Sequence, residues 1–186
     1  MHPSAGERES SFAMDLTVRH AEKRDAGQLG ALWLEFLREQ SSFDERVAIA
    51  EDALPRWRND FPLWLDRGSR YILVAEREGS LLGFITAVKS APPPVFKYAP
   101  EAYVEELYVH PRARQNGVGR RLFKEMVAWA DRWGARRVRL SVLSMNEAGL
   151  VFWRKIGFTD LSVTLTTGLS STSVRELSRK KAKLGF

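Results

Sequence analysis

The chain has 186 residues, a formal net charge of +6, 44% hydrophobic residues and no cysteine. That length and composition suit one globular domain able to bury roughly 70% of its unfolded surface without covalent staples. Disulfides, cysteine-ligated zinc and a thiol nucleophile are excluded, no apolar run approaches the roughly 20 residues of a membrane span, and the absence of cysteine fits a reducing cytosol, so a cytoplasmic location is expected.

Met1–Ala13 is polar and charged, without the apolar core of a signal peptide, and reads as a flexible leader; Met14 offers an alternative start. Leu16–Arg19 alternates as a short strand. Asp25 is a plausible N-cap for a helix whose apolar face is Leu29, Leu32, Trp33, Phe36 and Leu37. A second helical stretch spans roughly Arg46–Leu65, where Pro55 and Pro62 predict two short pieces rather than one rod. Arg70–Glu76 and Leu81–Val88 form a hairpin about Gly79. Ala91–Pro100 is a stiff, proline-rich loop, and Ala102–Val109 is a strand that Pro111 stops.

Val118–Trp133 is an amphipathic helix ended by Gly134. Arg136–Leu143 is a strand with Val138, Leu140 and Val142 on one face, Glu147–Ile156 a helix closed by Gly157, and Asp160–Thr167 a final strand. The order is βααββ followed by βαβαβ, an α/β pattern with a mixed sheet. The predicted domain covers residues 14–167, and residues 168–186 are a basic, weakly helical tail.

The segment from Val109 to Arg120 joins a strand to a helix and carries Gly117 and Gly119. Free amides of a first helical turn and the helix dipole make such a junction an anion site. The two glycines clear side chains from the approach, and Arg112, Arg114, Arg120 and Arg121 add positive field. The loop lacks the Gly-Lys-Ser/Thr of a Walker loop and the third glycine of the dinucleotide fingerprint.

Arg114-x-x-Gly117-x-Gly119, the preceding Glu105-Glu106-Leu107-Tyr108-Val109-His110-Pro111, and Asn146-Glu147-Ala148 through Phe152-Trp153-Arg154-Lys155-Ile156-Gly157-Phe158 stand in order. Together they resemble the coenzyme-A motif, central strand and later motif of the GNAT (GCN5-related) N-acetyltransferases. The resemblance covers Arg70–Phe158 closely and Leu16–Phe36 loosely. It implies a three-layer fold with a central mixed, mostly antiparallel sheet and a cleft between splayed strands ending at Val109 and Leu143. It implies acetyl-CoA as cosubstrate, without a metal, and its pyrophosphate on backbone amides of Arg114, Gln115, Asn116, Gly117, Val118, Gly119 and Arg120. Main-chain groups of Leu107 and Val109 would pair with the pantetheine arm, and Asn146 would touch the coenzyme from the next loop. Dimers are common in the family, and exchange of the final strand and tail would make a homodimer.

Transfer to an amine, by direct attack in a ternary complex, needs a proton acceptor for the ammonium and a donor for the oxyanion. A strand amide such as that of Val109 supplies the donor. Glu105 and Glu106, adjacent on a strand, point to opposite faces, so only one faces the cleft. Glu105 shares the parity of Leu107 and Val109 and matches an acidic position used by several family members. His110 reads as a loop residue of the motif. Trp153 stands where many members have a tyrosine acid. An indole cannot protonate a thiolate, leaving Tyr108, Ser144 or water for that role, or unaided departure.

Trp33, Phe36, Phe43, Trp57, Phe61 and Trp64 crowd the first two helices, which wall the acceptor pocket in the family. The acceptor is a small-molecule or protein amine. Two other readings stay open. Trp153 suggests a non-catalytic acyl-CoA-binding sensor. The charge and basic tail suggest a nucleic-acid-binding protein, although no nucleic-acid-binding signature is present.

Overall fold

Leu16 is buried, and the strand after it sets one edge of the sheet. The structure, a computed structural model, describes residues 15–167 other than 69, 94, 96, 98 and 99. The leader expected before Met14 and the basic tail after Thr167 lie outside the described residues. Strands β1 (Thr17–His20), β2 (Tyr71–Arg77), β3 (Ser80–Ser90), β4 (Glu101–Val109) and β5 (Arg137–Leu140) form one sheet in the order β1-β2-β3-β4-β5. The first four are antiparallel and β5 runs parallel to β4.

The connections follow from that sheet. Antiparallel β2 and β3 are joined by a tight turn in which Glu78 and Gly79 both take positive φ. Parallel β4 and β5 need a crossover, and helix α3 (Val118–Arg132) supplies it. Helices α1 (Ala26–Phe43) and α2 (Ala53–Arg67) bury Leu29, Leu32, Trp57 and Phe61 against Ile72, Val74, Phe84 and Tyr108. α3 buries Val118, Leu122, Met126 and Ala130 and packs across β1 to β4. Because strand side chains alternate between faces, the two sets define a mixed sheet with helices on both sides. No helix among the described residues is long and apolar enough to cross a membrane.

Three expectations are corrected. α2 is one helix from Ala53 to Arg67 with Pro62 inside it. The ring removes one helical hydrogen bond, yet Phe61 is fully buried and Trp57 nearly so, and that packing holds the rod together. Pro55 lies in the first turn, where its missing donor costs nothing. Asp25 precedes α1 but its side chain caps nothing there. Its carboxylate is taken by Arg19 at 2.7 and 2.8 Å and by the Glu22 amide at 2.7 Å.

The third correction is Asp160–Thr167, which forms no strand. Leu161, Val163 and Leu165 are 71%, 83% and 88% exposed. Their alternation is a strand pattern, but a strand exists only where an edge pairs with it.

The chain divides into two compact units at Leu150. The sheet and α1 to α3 belong to the first. Helix α4 (Glu147–Lys155) begins in the first and ends in the second, where Gly157, at φ 106°, closes it with its amide on the Arg154 carbonyl at 3.0 Å. There Trp153 is buried, edge-on to Phe152 at 5.0 Å and to Phe158 at 5.2 Å. Packing accounts for the indole.

Candidate active site

The parallel ladder between β4 and β5 is short. It pairs Glu101–Val104 with Arg137–Leu140 and stops, while β4 runs on to Val109. β5 is thus shorter than the expected Arg136–Leu143 strand, and a fork opens after Val104. The buried carboxylate of Glu101 anchors its closed end, bonded to Arg137 at 2.6 Å and paired with Arg139 at 3.2 Å.

Beyond the fork, only one edge of β4 is paired with a described strand. The His110 amide donates to the Leu82 carbonyl at 2.8 Å. Antiparallel residues alternate between pairs that exchange hydrogen bonds and pairs that do not. Tyr108 and Glu106 therefore bond to β3, and the main-chain groups of Leu107 and Val109 point away from it, into the fork. The Val109 carbonyl is engaged by Arg114 Nε at 2.9 Å. Gly83 lies opposite Val109, and a Cβ there would sit 2.6 Å from the Tyr108 carbonyl oxygen. This close approach fixes where the outer edge of β4 lies.

The glycine loop ends β4 and starts α3. Gln115 and Gly117 take positive φ of 63° and 76°. The Arg121 amide is the first to bond inside the helix, to the Gly117 carbonyl at 3.0 Å. Gly117 is the N-cap and has no side chain to cap with. Helix geometry gives the amides of Val118, Gly119 and Arg120 no intrahelical partner, and they lie at the positive end of the helix. His110 Nδ1 accepts from the Arg112 amide at 3.2 Å, capping the short turn Pro111–Ala113.

A bulge breaks the expected alternation of the two glutamates. Thr86 pairs with Glu106 and Ala87 with Val104, so Glu105 has no opposite number on β3. Both carboxylates now reach toward the layer of α1 and α2. Glu105 binds Arg70 at 2.8 and 3.3 Å, and the Arg70 guanidinium lies 4.0 Å from the centre of the Trp64 ring. Glu106 accepts from Trp33 Nε1 at 2.9 Å and from Thr86 Oγ1 at 3.1 Å. The rule that only one could face that side fails here, because a bulge cannot be seen in one strand's sequence.

Glu106 sits with Trp33, Trp57, Trp64, Phe84 and Thr86 around a cavity of about 10 Å³, space for roughly one water. Desolvation among these rings pushes its carboxyl above the usual range, against the bonds from Trp33 and Thr86 and the charge of Arg70, which lower it. Tyr108, on the same face, donates to Glu35 at 3.3 Å. Burial, with Glu35 and Glu39 close by, pushes its hydroxyl up to about 12.

Asn146 caps α4, accepting from the Gly149 amide at 2.8 Å. The space explains Gly149, where a Cβ would lie 2.8 to 2.9 Å from the Asn146 side chain. Among the described residues no group of three or more His, Asp or Glu side chains could hold a metal ion.

Residues 31–158 match the Acetyltransferase (GNAT) family. The chain belongs to this family. It is 29% identical over 173 residues to a phosphinothricin N-acetyltransferase of Alcaligenes faecalis, covering 90% of this chain and 84% of that one. An aminoglycoside N-acetyltransferase solved in complex with CoA superposes with a TM-score of 0.68 at 17% identity, covering 83% of this chain and 94% of that one. A Clostridium acetobutylicum protein solved with acetyl-CoA superposes at 0.64, 19% identical, covering 82% of this chain and 96% of that one. At such identities the likeness of these two GNAT structures is one of fold.

Sequence reasoning missed Gly83, Thr86, Arg70, Glu35 and Glu39. Gly83 carried a readable signal, since glycine inside a strand often marks a close backbone approach. The others meet partners distant in sequence and carry no local mark.

Proposed function

We propose that this GNAT acetyltransferase moves an acetyl group from acetyl-CoA to the primary amine of a small molecule, with Glu106 as proton acceptor. One observation carries the reading: a buried carboxylate with a raised proton affinity stands on β4 where the strand leaves its neighbour. A base poised toward neutral pH suits removal of an ammonium proton. The phosphinothricin N-acetyltransferase relative supports a small-molecule acceptor.

The first-turn amides of Val118, Gly119 and Arg120, with the loop from Gln115, take the pyrophosphate. Leu107 offers the pantetheine arm a ladder position β5 has vacated, and Asn146 lies on the next loop. The neutral amine attacks the thioester carbonyl, a C–N bond forms and the C–S bond breaks. The ammonium proton passes to Glu106 before the attack, the second nitrogen proton is lost to solvent or the departing thiolate as the tetrahedral intermediate collapses, and the Val109 amide faces the oxyanion. Tyr108 holds its proton against Glu35 too tightly to serve the thiolate, which leaves unaided because a thiol ionises near about 8.5. Glu105, bound to Arg70, shapes the charge around Glu106.

The test is release of free thiol from acetyl-CoA with a panel of small primary amines, beside calorimetric uptake of CoA. Turnover on amines lost in Glu106→Gln supports the assignment. CoA uptake with no thiol release on any amine would leave a binding protein and overturn it.

A further inference from the structure

The side chain of Arg114 faces away from where a phosphate would sit. Its Nε donates to the Val109 carbonyl at 2.9 Å, and its Nη2 reaches Glu39 on α1 at 2.5 Å. Its guanidinium lies 5.6 Å from the centre of the Tyr108 ring. Its main chain is tied as well, the amide to the Pro111 carbonyl at 3.3 Å and the carbonyl to Asn116 Nδ2 at 3.1 Å. The residue that opens the glycine loop is therefore strapped to the end of β4 and to α1.

Such a strap has something to hold. Gln115, a non-glycine residue, sits at φ 63° one position on. A conformation like that persists only where its surroundings impose it. The charge of Arg114 is already answered by Glu39, so its use is mechanical.

The geometry points to Glu39 as a positioning residue for the coenzyme, acting through Arg114 on the pyrophosphate loop. This rests on the reading that the loop binds the coenzyme. The sign of the effect separates it from the simple electrostatic alternative. Removing a negative charge and freeing an arginine beside a phosphate site would tighten coenzyme binding if field alone mattered. If Glu39 positions the loop, removing it weakens binding.

The experiment measures CoA affinity by calorimetry and steady-state constants on the full chain for wild type, Glu39→Gln, Arg114→Ala and the double variant. Glu39→Gln raises the CoA Kd and the acetyl-CoA KM by about fivefold, the size a half-exposed ion pair supports. Its kcat at saturating acetyl-CoA stays at the wild-type level. In the Arg114→Ala background the same change has no further effect. Wild-type uptake of CoA with an unchanged or tighter Glu39→Gln variant overturns the inference, as does an undiminished loss in the Arg114→Ala background. Failure of the wild type itself to bind CoA removes the coenzyme-loop reading and this inference with it.

Discussion

Trp33 donates its indole N–H to Glu106 across 2.9 Å, from α1 to β4, over a sequence separation of 73 residues. That bond aims the carboxylate and stabilises its charged form, while the surrounding rings stabilise the neutral one. The two influences oppose each other, and the neutral form is favoured beyond its ordinary share. A residue of α1 thus helps set the proton affinity of a strand residue 73 positions away.

The pH profile should report this balance. In the proposed role Glu106 acts ionised, so kcat/KM should rise with pH through a value above the ordinary carboxyl range. Glu106→Gln lowers kcat by about 10² to 10⁴-fold and removes that limb. Trp33→Phe deletes a donor to the anion and moves the limb to higher pH. A wild-type profile whose acid limb survives unchanged in Glu106→Gln would exclude this carboxylate as the base.

The same shift has a consequence for stability. A carboxyl whose proton affinity is raised on folding stabilises fully below its unfolded value and loses that contribution as pH rises through the folded one. At neutral pH the buried charge is a burden. Gln keeps an oxygen for Trp33 and adds a donor for Thr86 without the charge. Glu106→Gln should therefore melt at a higher temperature than wild type at neutral pH, and the gap should close below the ordinary value of 4.5. Thermal melts across pH, followed by circular dichroism, measure it.

The β2–β3 hairpin and α3 were readable because their periods are unbroken and their ends carry Gly79 and Gly134. The turn from β4 into α3 was readable because its glycine pattern is local. α2 was misread at Pro62, since a local rule cannot weigh the burial of Phe61 on the opposite element. Asp160–Thr167 has the right alternation, but pairing is a property of two segments. The bulge at Glu105 exists only in the register against β3. Arg70 and Glu39 act on partners 35 and 75 residues away, where no spacing rule reaches.

Asp25 supports the edge of the sheet. Its carboxyl is held below the usual range by Arg19, which also binds Glu76 at 2.6 Å. A depressed carboxyl contributes stability above its ordinary value of 3.8 and loses it as pH falls through the lowered one. Asp25→Asn leaves Arg19 half answered and should cost about 3 kcal/mol at neutral pH. Denaturant titrations should show wild type and variant converging on acidification. A gap that persists unchanged in acid would mean that the carboxylate charge is not what stabilises.

Gly117 separates what the backbone needs from what the ligand needs. Its φ of 76° favours glycine, yet a Cβ there would meet no protein atom within 4 Å. Gly117→Ala should therefore cost only about 1 kcal/mol in the free protein, the strain of a left-handed alanine. If the diphosphate lies against this amide, the added methyl takes space the free protein leaves open, and CoA affinity drops by about tenfold or more, at least about 1.4 kcal/mol. Urea unfolding and CoA calorimetry on the same variant measure the two costs separately. A small loss of stability with undiminished CoA binding would show that the glycine serves the turn alone and that the phosphates are held elsewhere.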